Sequence, residues 1–202
     1  MKQIGSVTTG ALSQASEGAS ATGLQPGATG SGALPATASE RLMESEPKAV
    51  DQTLEASLKQ HVATSLVPDR VSCTDAHGYD ERLRGYRVRG DLADAESLQE
   101  ALTAYERACL PAPDDRIVQE LTKLRMKTAA KATDTETLEL QQAVYAEELA
   151  EYPADVVLYV LRTQPKISKW WPAWGELAER LDLYAKDRMK RRDALRRALA
   201  RA

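Results

Sequence analysis

The sequence is poor in the residues that build disulfides, metal sites and membrane spans. Its 202 residues include two cysteines, two histidines and no phenylalanine, and aromatic residues make up only 5%. The longest apolar run, Val156 to Leu161, is far shorter than the roughly 20 residues of a membrane-spanning helix. The first residues carry one lysine and no long apolar run, so we expect no secretory signal. These features predict a cytoplasmic protein with no membrane association and with reduced thiols.

Motifs that would support catalysis, a metal or a cofactor are also missing. No G-x-x-x-x-G-K-[ST] segment occurs, which excludes the usual nucleotide-hydrolysis chemistry. Cys73 and His77 are four residues apart, but a structural zinc site usually needs four ligands, and a cysteine nucleophile needs a rigid scaffold. Glu147 and Glu151 share one face of a predicted helix without a histidine, which is typical of a solvated face. The sequence therefore predicts a protein that is not an enzyme and has no metal and no cofactor.

Neither sign of charge dominates the whole chain, but charge is unevenly distributed along it. The formal net charge is −3, whereas residues 186–202 carry +6 and the rest of the chain carries −9. A basic end on an acidic body is able to contact nucleic acid or an acidic protein surface, while phosphate would be repelled by the body itself.

Composition divides the first 91 residues into three segments. Residues 1–45 hold most of the glycines and cannot bury enough apolar surface to offset their ordering entropy, so we predict a disordered tail rich in Ser, Gly and Ala. Residues 46–66 are predicted to form an isolated helix, whose partner is the main domain, another copy of the chain, or nothing. Residues 67–91 are predicted to form a loop that contains an arginine cluster, with a short extended piece at 82–89.

From residue 92 onward, dense helical periodicity predicts an all-α domain over residues 92–185. We expect a small orthogonal bundle of about five helices. The fourth, over residues 153–163, should be the buried central element and should end at Pro165. A long last helix should begin near Pro172 and continue as a basic helical extension, residues 186–202, that runs into solvent.

Two groups of residues are candidates for binding. Trp170 and Trp171 lie at a predicted loop-to-helix junction, and one of them is a candidate anchor for a protein partner because Trp is common at interaction hot spots. Two basic clusters are candidates for phosphate contacts, with Tyr86 available to stack on a base. These clusters comprise Arg82, Arg84, Arg87, Arg89, Lys190, Arg191, Arg192, Arg196 and Arg197.

One stretch has a familiar order of motifs. The segment LQQAVYAEELAEYPADVVLYVL begins at Leu140, and KWWPAWGEL follows at Lys169. Over about residues 112–182, this pattern resembles the small ATP-independent replicative helicase loader/inhibitor proteins of phages, and also phage-type bacterial proteins of unknown function. The resemblance implies a non-enzymatic adaptor in phage or prophage DNA replication that binds a replicative helicase. The alternative is a small DNA-binding regulatory protein that uses its basic C-terminal helix.

Overall fold

Eight helices and one β-hairpin form over the residues that the computed structural model describes, which are 37–75, 78–90, 93–129 and 135–201. No helix in these ranges combines the length and apolar character needed to span a membrane. The chain is mostly helical, as the sequence predicts, and the hairpin is a small addition that the prediction did not include. In chain order the elements are α1 (Ala38–Met43), α2 (Pro47–Ser57), α3 (Gln60–Ser65), β1 (Leu66–Asp75), β2 (Gly78–Val88), α4 (Ala95–Ala108), α5 (Asp114–Lys127), α6 (Thr135–Leu149), α7 (Ala154–Ile167) and α8 (Trp174–Leu199).

The hairpin occupies most of the segment predicted to be a loop, residues 67–91, so the loop prediction was wrong, whereas the short extended piece predicted at 82–89 lies largely in β2. β1 and β2 pair antiparallel, with Asp69 opposite Gly85 and Arg70 opposite Leu83. Arg84 is therefore an extra residue, a β-bulge. Leu83 and Tyr86 both pack into a hydrophobic cluster, although residues three apart in a regular strand point to opposite faces. The bulge restores the common face and hides the period-two pattern from sequence reasoning.

The segment predicted to be an isolated helix, residues 46–66, is neither continuous nor isolated. It breaks at Leu58, whose backbone is extended. Of its two helices, α2 packs against α4 and α8, and α3 packs against α4 and β1. Val50, Leu54 and Val62 are buried there. The main domain is thus the partner of this segment.

The predicted tail, residues 1–45, is helical where it can be described. Residues 38–43 form α1, which is capped by mutual hydrogen bonds between Thr37 and Glu40. The first 36 residues lie outside the described part of the chain.

Five helices, α4 to α8, do follow residue 92, and α7 is the buried element predicted at residues 153–163. Val156, Val157 and Val160 are fully buried on it. α7 continues past Pro165 to Ile167, which corrects the predicted end. Because Pro165 lies in the last turn, its missing N–H removes only one hydrogen bond, and Ser168 N still donates to Gln164 O at 3.0 Å.

The apolar residues form two clusters, and α8 contributes to both. The first cluster lies among α5, α6, α7 and the first half of α8. The second lies among α2, α3, the hairpin, α4 and the second half of α8, where Ala194 and Leu195 are buried. With 26 residues, α8 extends about 39 Å. The predicted solvent-projecting extension, residues 186–202, is instead largely docked, and residues 92–185 alone do not contain the whole core.

Arg188 lies between the two clusters and is 2% exposed. Its guanidinium makes two hydrogen bonds to the Asp155 carboxylate on α7, at 2.8 and 2.9 Å, and one to Asp51 on α2 at 2.7 Å. It also donates to the carbonyl oxygens of Ala108 and Pro47. All five N–H donors of the side chain are therefore satisfied, which allows an arginine to be buried.

Candidate nucleic-acid interface

The hairpin brings the arginine cluster of β2 next to the basic half of α8. β2 packs along α8, and Tyr86 and Val88 face the second cluster. The arginines between and around these apolar residues are exposed: Arg82, Arg84, Arg87 and Arg89. The packing therefore unites two basic segments that are about a hundred residues apart in the sequence.

An open groove of about 870 Å³ lies where β2, the start of α4 and the end of α8 meet. Arg84 and Arg87 line it from β2, and Arg197 and Arg201 line it from α8 and the residues after it. Asp69 is the one acidic side chain among the described residues that line it. The aliphatic side chains of the lining are those of Val88, Ala93, Ala95, Leu98, Ala194 and Ala198.

The charge of the groove is only partly neutralised. Arg87 forms an ion pair with Asp69 at 3.1 Å, and Arg197 donates to Tyr86 O at 3.4 Å. No carboxylate of the described residues pairs with Arg84 or Arg201. The groove, which we call the arginine groove, thus carries excess positive charge on an exposed surface, the condition for binding an anion.

Tyr86 is not available to stack on a base, contrary to the prediction. It is 8% exposed, its hydroxyl donates to Asp187 Oδ1 at 2.6 Å, and the Arg191 guanidinium lies 5.0 Å from its ring centroid. Burial and the bond to Asp187 raise the pKa of Tyr86. Tyr86 is a packed, neutral donor that fixes β2 on α8.

The other basic residues predicted on α8 do not line the arginine groove. Lys190 donates to Leu83 O. The remaining three form ion pairs, which are Arg191 with Glu55 at 2.9 Å, Arg192 with Asp193 at 2.8 Å, and Arg196 with Glu106 at 2.7 Å. Their charges hold α8 to its neighbours or are balanced locally.

Sequence reasoning included Arg201 in the basic end, residues 186–202, but did not single it out as a phosphate contact. It follows Arg197 by four residues, a spacing that places two side chains on the same face of a helix. That spacing was the available signal. Arg197 and Arg201 both line the groove.

The two tryptophans predicted to bind a partner have different environments. Trp170 is 56% exposed, and Lys169 Nζ lies 5.4 Å from its ring centroid. Trp171 stacks on Tyr145 with centroids 5.8 Å apart, and Arg125 lies 5.7 Å from its ring. Trp171 is therefore part of the end of the first cluster, and Trp170 is the one that remains accessible.

A short backbone bridge holds this tryptophan loop in place. Ala129 N donates to Lys169 O at 2.7 Å, and Trp171 N donates to Ala129 O at 2.8 Å. The bridge fixes the Trp170 loop against Ala129, the second residue after the end of α5.

The residues considered for catalysis do not form a site in the described ranges. No group of three or more His, Cys, Asp or Glu side chains suitable for a metal occurs there. His77 lies outside these ranges, and the structure describes only the backbone of Cys73. Glu147 and Glu151 are exposed. Burial raises the pKa of the Cys109 thiol, which opposes formation of a reactive thiolate.

Comparisons with protein-family models, with curated proteins and with solved structures found no match to this chain.

Proposed function

We propose that the protein is a non-enzymatic nucleic-acid-binding protein that holds a phosphate backbone in the arginine groove. The observation that carries the proposal is the convergence of Arg84, Arg87, Arg197 and Arg201 from two distant segments on one open groove. Arginine is suited to this role because its planar guanidinium binds phosphate oxygens in pairs. The alternative drawn from the sequence was a small DNA-binding regulatory protein that uses its basic C-terminal helix. Here the hairpin joins that helix in the binding surface.

Neighbouring arginines on α8 provide a matched test. Arg197→Gln removes a groove arginine, whereas Arg196→Gln removes the same charge from a residue paired with Glu106 that does not line the groove. We expect R197Q to weaken binding of a fluorescent DNA oligonucleotide at low salt severalfold and R196Q to weaken it much less. Equal effects of the two variants, or no binding by the unmodified protein, would contradict the proposal.

A second candidate function, the adaptor that binds a replicative helicase, is supported by the exposure of Trp170. Two further exposed apolar side chains, Met126 and Ile167, belong to the last turns of α5 and α7, whose C-terminal ends are near the bridge to the Trp170 loop. Exposed aromatic and aliphatic groups of this kind serve as anchors at protein interfaces. The adaptor role and nucleic-acid binding are compatible, because they use different surfaces.

A pull-down with a purified replicative helicase tests the adaptor. We expect retention by the full chain and loss of retention with Trp170→Ala. Leu183→Ala is the matched control because Leu183 is 75% exposed on α8, outside the Trp170 loop. Failure of the unmodified chain to retain the helicase, or equal loss in both variants, would refute this candidate.

A further inference from the structure

We infer that the arginine groove recognises the phosphodiester chain of a nucleic acid and makes no selection among bases. The inference rests on the proposed function of this groove and specifies its ligand. It follows from two features of the lining, which provides cationic side chains for phosphates and no stacking partner for a base.

The side chains that line the groove are suited to a linear anion. Two arginines come from β2 and two from α8 and its end, so a chain of phosphates in the groove meets cationic groups from both segments. Arg197 is oriented by its hydrogen bond to the Tyr86 carbonyl, and the ion pair with Asp69 orients Arg87. Contacts of this kind position a nucleic acid but carry no sequence information.

Bases find no stacking partner among the described residues of the lining. The one aromatic residue among them, Tyr86, is buried and covered by Arg191, so it offers no stacking face. Base readout in single strands depends on aromatic stacking and on hydrogen bonds to base edges.

The rest of the lining is aliphatic or backbone. Val88, Leu98, Ala194 and Ala198 provide no side-chain donor or acceptor to a base edge. A base buried against them would leave its polar edge unpaired, which costs binding free energy. Bases are therefore expected to point towards solvent while the phosphates occupy the groove.

Binding of four ligands to the full chain, measured by fluorescence anisotropy, distinguishes recognition of phosphates from recognition of bases. These ligands are oligo-dT, oligo-dA of equal length, an oligo-dT analogue with a neutral methylphosphonate backbone, and inorganic polyphosphate as a competitor of labelled oligo-dT. We expect the two oligonucleotides to bind within about threefold of each other, polyphosphate to displace them, and the neutral analogue not to bind.

Variants from both segments identify the groove as the place of binding. Arg84→Gln and Arg201→Gln should weaken both oligonucleotides by the same factor, and R196Q should leave both nearly unchanged; circular dichroism confirms that each variant is folded. A preference for one base of more than about tenfold, as stacking or base contacts would give, overturns the inference while the proposed function stands. Binding of the neutral analogue, or failure of polyphosphate to compete, overturns both the inference and the proposed function, because the groove would then not hold phosphates. If neither oligonucleotide binds, the proposed function is overturned as well.

Discussion

Arg188 occupies an apolar position of α8 and explains why the sequence pattern is misleading there. The buried residues Leu177, Leu181 and Ala185 recur at steps of four, and Arg188 follows at a step of three on the same face. In the sequence, a charged residue at this position predicts that the buried face of the helix ends there. In the structure Arg188 is buried, and every N–H donor of its guanidinium has an acceptor. Burial acts to lower the pKa of Arg188, but the bonds and charges of Asp155 and Asp51 outweigh it and raise that pKa. The partners come from segments far away in the sequence, so the local pattern does not reveal them.

Replacing Arg188 with Met should destabilise the protein severely. Asp155, which is 3% exposed, would be left as a buried charge without its partner, and such a loss typically costs about 3–5 kcal/mol. Urea unfolding measures the change. Arg192→Met is the control on the same helix, because its pair with Asp193 is local and should contribute less than about 1 kcal/mol.

The double variant Arg188→Met/Asp155→Leu tests the reason for the effect. Since it removes both buried charges, it should recover part of the stability lost in the single variant. A single variant within about 1 kcal/mol of the unmodified protein would contradict the role of Arg188 as the residue that joins the two clusters.

At the scale of elements, helices were predictable and the hairpin was not. Proline followed by acidic residues marks the start of α5, and Ile117, Leu121 and Leu124 form its buried face as the periodicity indicates. The strand β2 was predicted only in part, as the extended piece at 82–89, because its bulge at Arg84 breaks the alternation between Leu83 and Tyr86. The arginine cluster was correctly singled out by composition, but its union with Arg197 and Arg201 depends on tertiary packing that local patterns do not encode.

Deleting Arg84 tests the bulge. Because Arg84 is the extra residue, its removal leaves Leu83 and Tyr86 two residues apart, a spacing that a regular strand places on one face. The hairpin should therefore tolerate the deletion, and urea unfolding of the deletion variant and of Arg84→Gln should each stay within about 1 kcal/mol of the unmodified protein. If Arg84 were an ordinary paired residue, the deletion would turn the side chains on one side of it to the opposite face. A loss of about 1.5–3 kcal/mol in the deletion variant alone, the cost of exposing one such buried side chain, would refute the bulge.

The attachment of α1 to the body should depend on pH. Glu44, which caps the end of α1, makes hydrogen bonds to Arg162 on α7 that hold the pKa of its carboxyl below the ordinary value, and Arg116 on α5 adds to this. Because folding favours the deprotonated form, the stabilisation is fully present above the ordinary pKa of 4.5 and is lost as the pH falls through the lower folded value.

Glu44→Gln should reduce the loss of stability between neutral pH and pH values below that window. The difference should be about 1 kcal/mol or less, because Glu44 is half exposed and solvent screens its ion pairs. Unfolding at several pH values measures it, with Glu139→Gln, an exposed residue of α6, as the control. A pH profile of Glu44→Gln that matches that of the unmodified protein would contradict the assignment.

At the scale of the whole molecule, α8 determines both stability and charge distribution. Its first half completes one hydrophobic cluster, and its second half completes the other. The basic end predicted from the sequence is present, but most of its basic side chains form ion pairs with carboxylates of α8 itself or of neighbouring elements. The positive charge that stays exposed lies in the arginine groove. Sequence reasoning located the basic end and could not assign each arginine, because the acidic partners lie on α2 and α4.

Removing residues 186–202 should therefore destabilise the fold, whereas removal of exposed surface residues would leave its stability unchanged. The deletion takes Arg188, Ala194 and Leu195 out of the interior, and the loss of Leu195 alone should cost about 2–5 kcal/mol. Thermal unfolding of the full chain and of the chain ending at Ala185 measures the effect. Equal midpoints would show that this end projects into solvent as the sequence suggested.

The central claim is that the arginine groove binds nucleic-acid phosphates, and the salt dependence of DNA binding tests it most directly. The protein with Arg84, Arg87, Arg197 and Arg201 all changed to Gln is compared with the unmodified chain. Each phosphate contact contributes about 0.7–0.9 to the slope of log K against log salt concentration. The account predicts that the slope becomes smaller in magnitude by about 2 to 3, since Asp69 already offsets part of the charge of Arg87. An unchanged slope would contradict the account, because the phosphates would then be bound elsewhere.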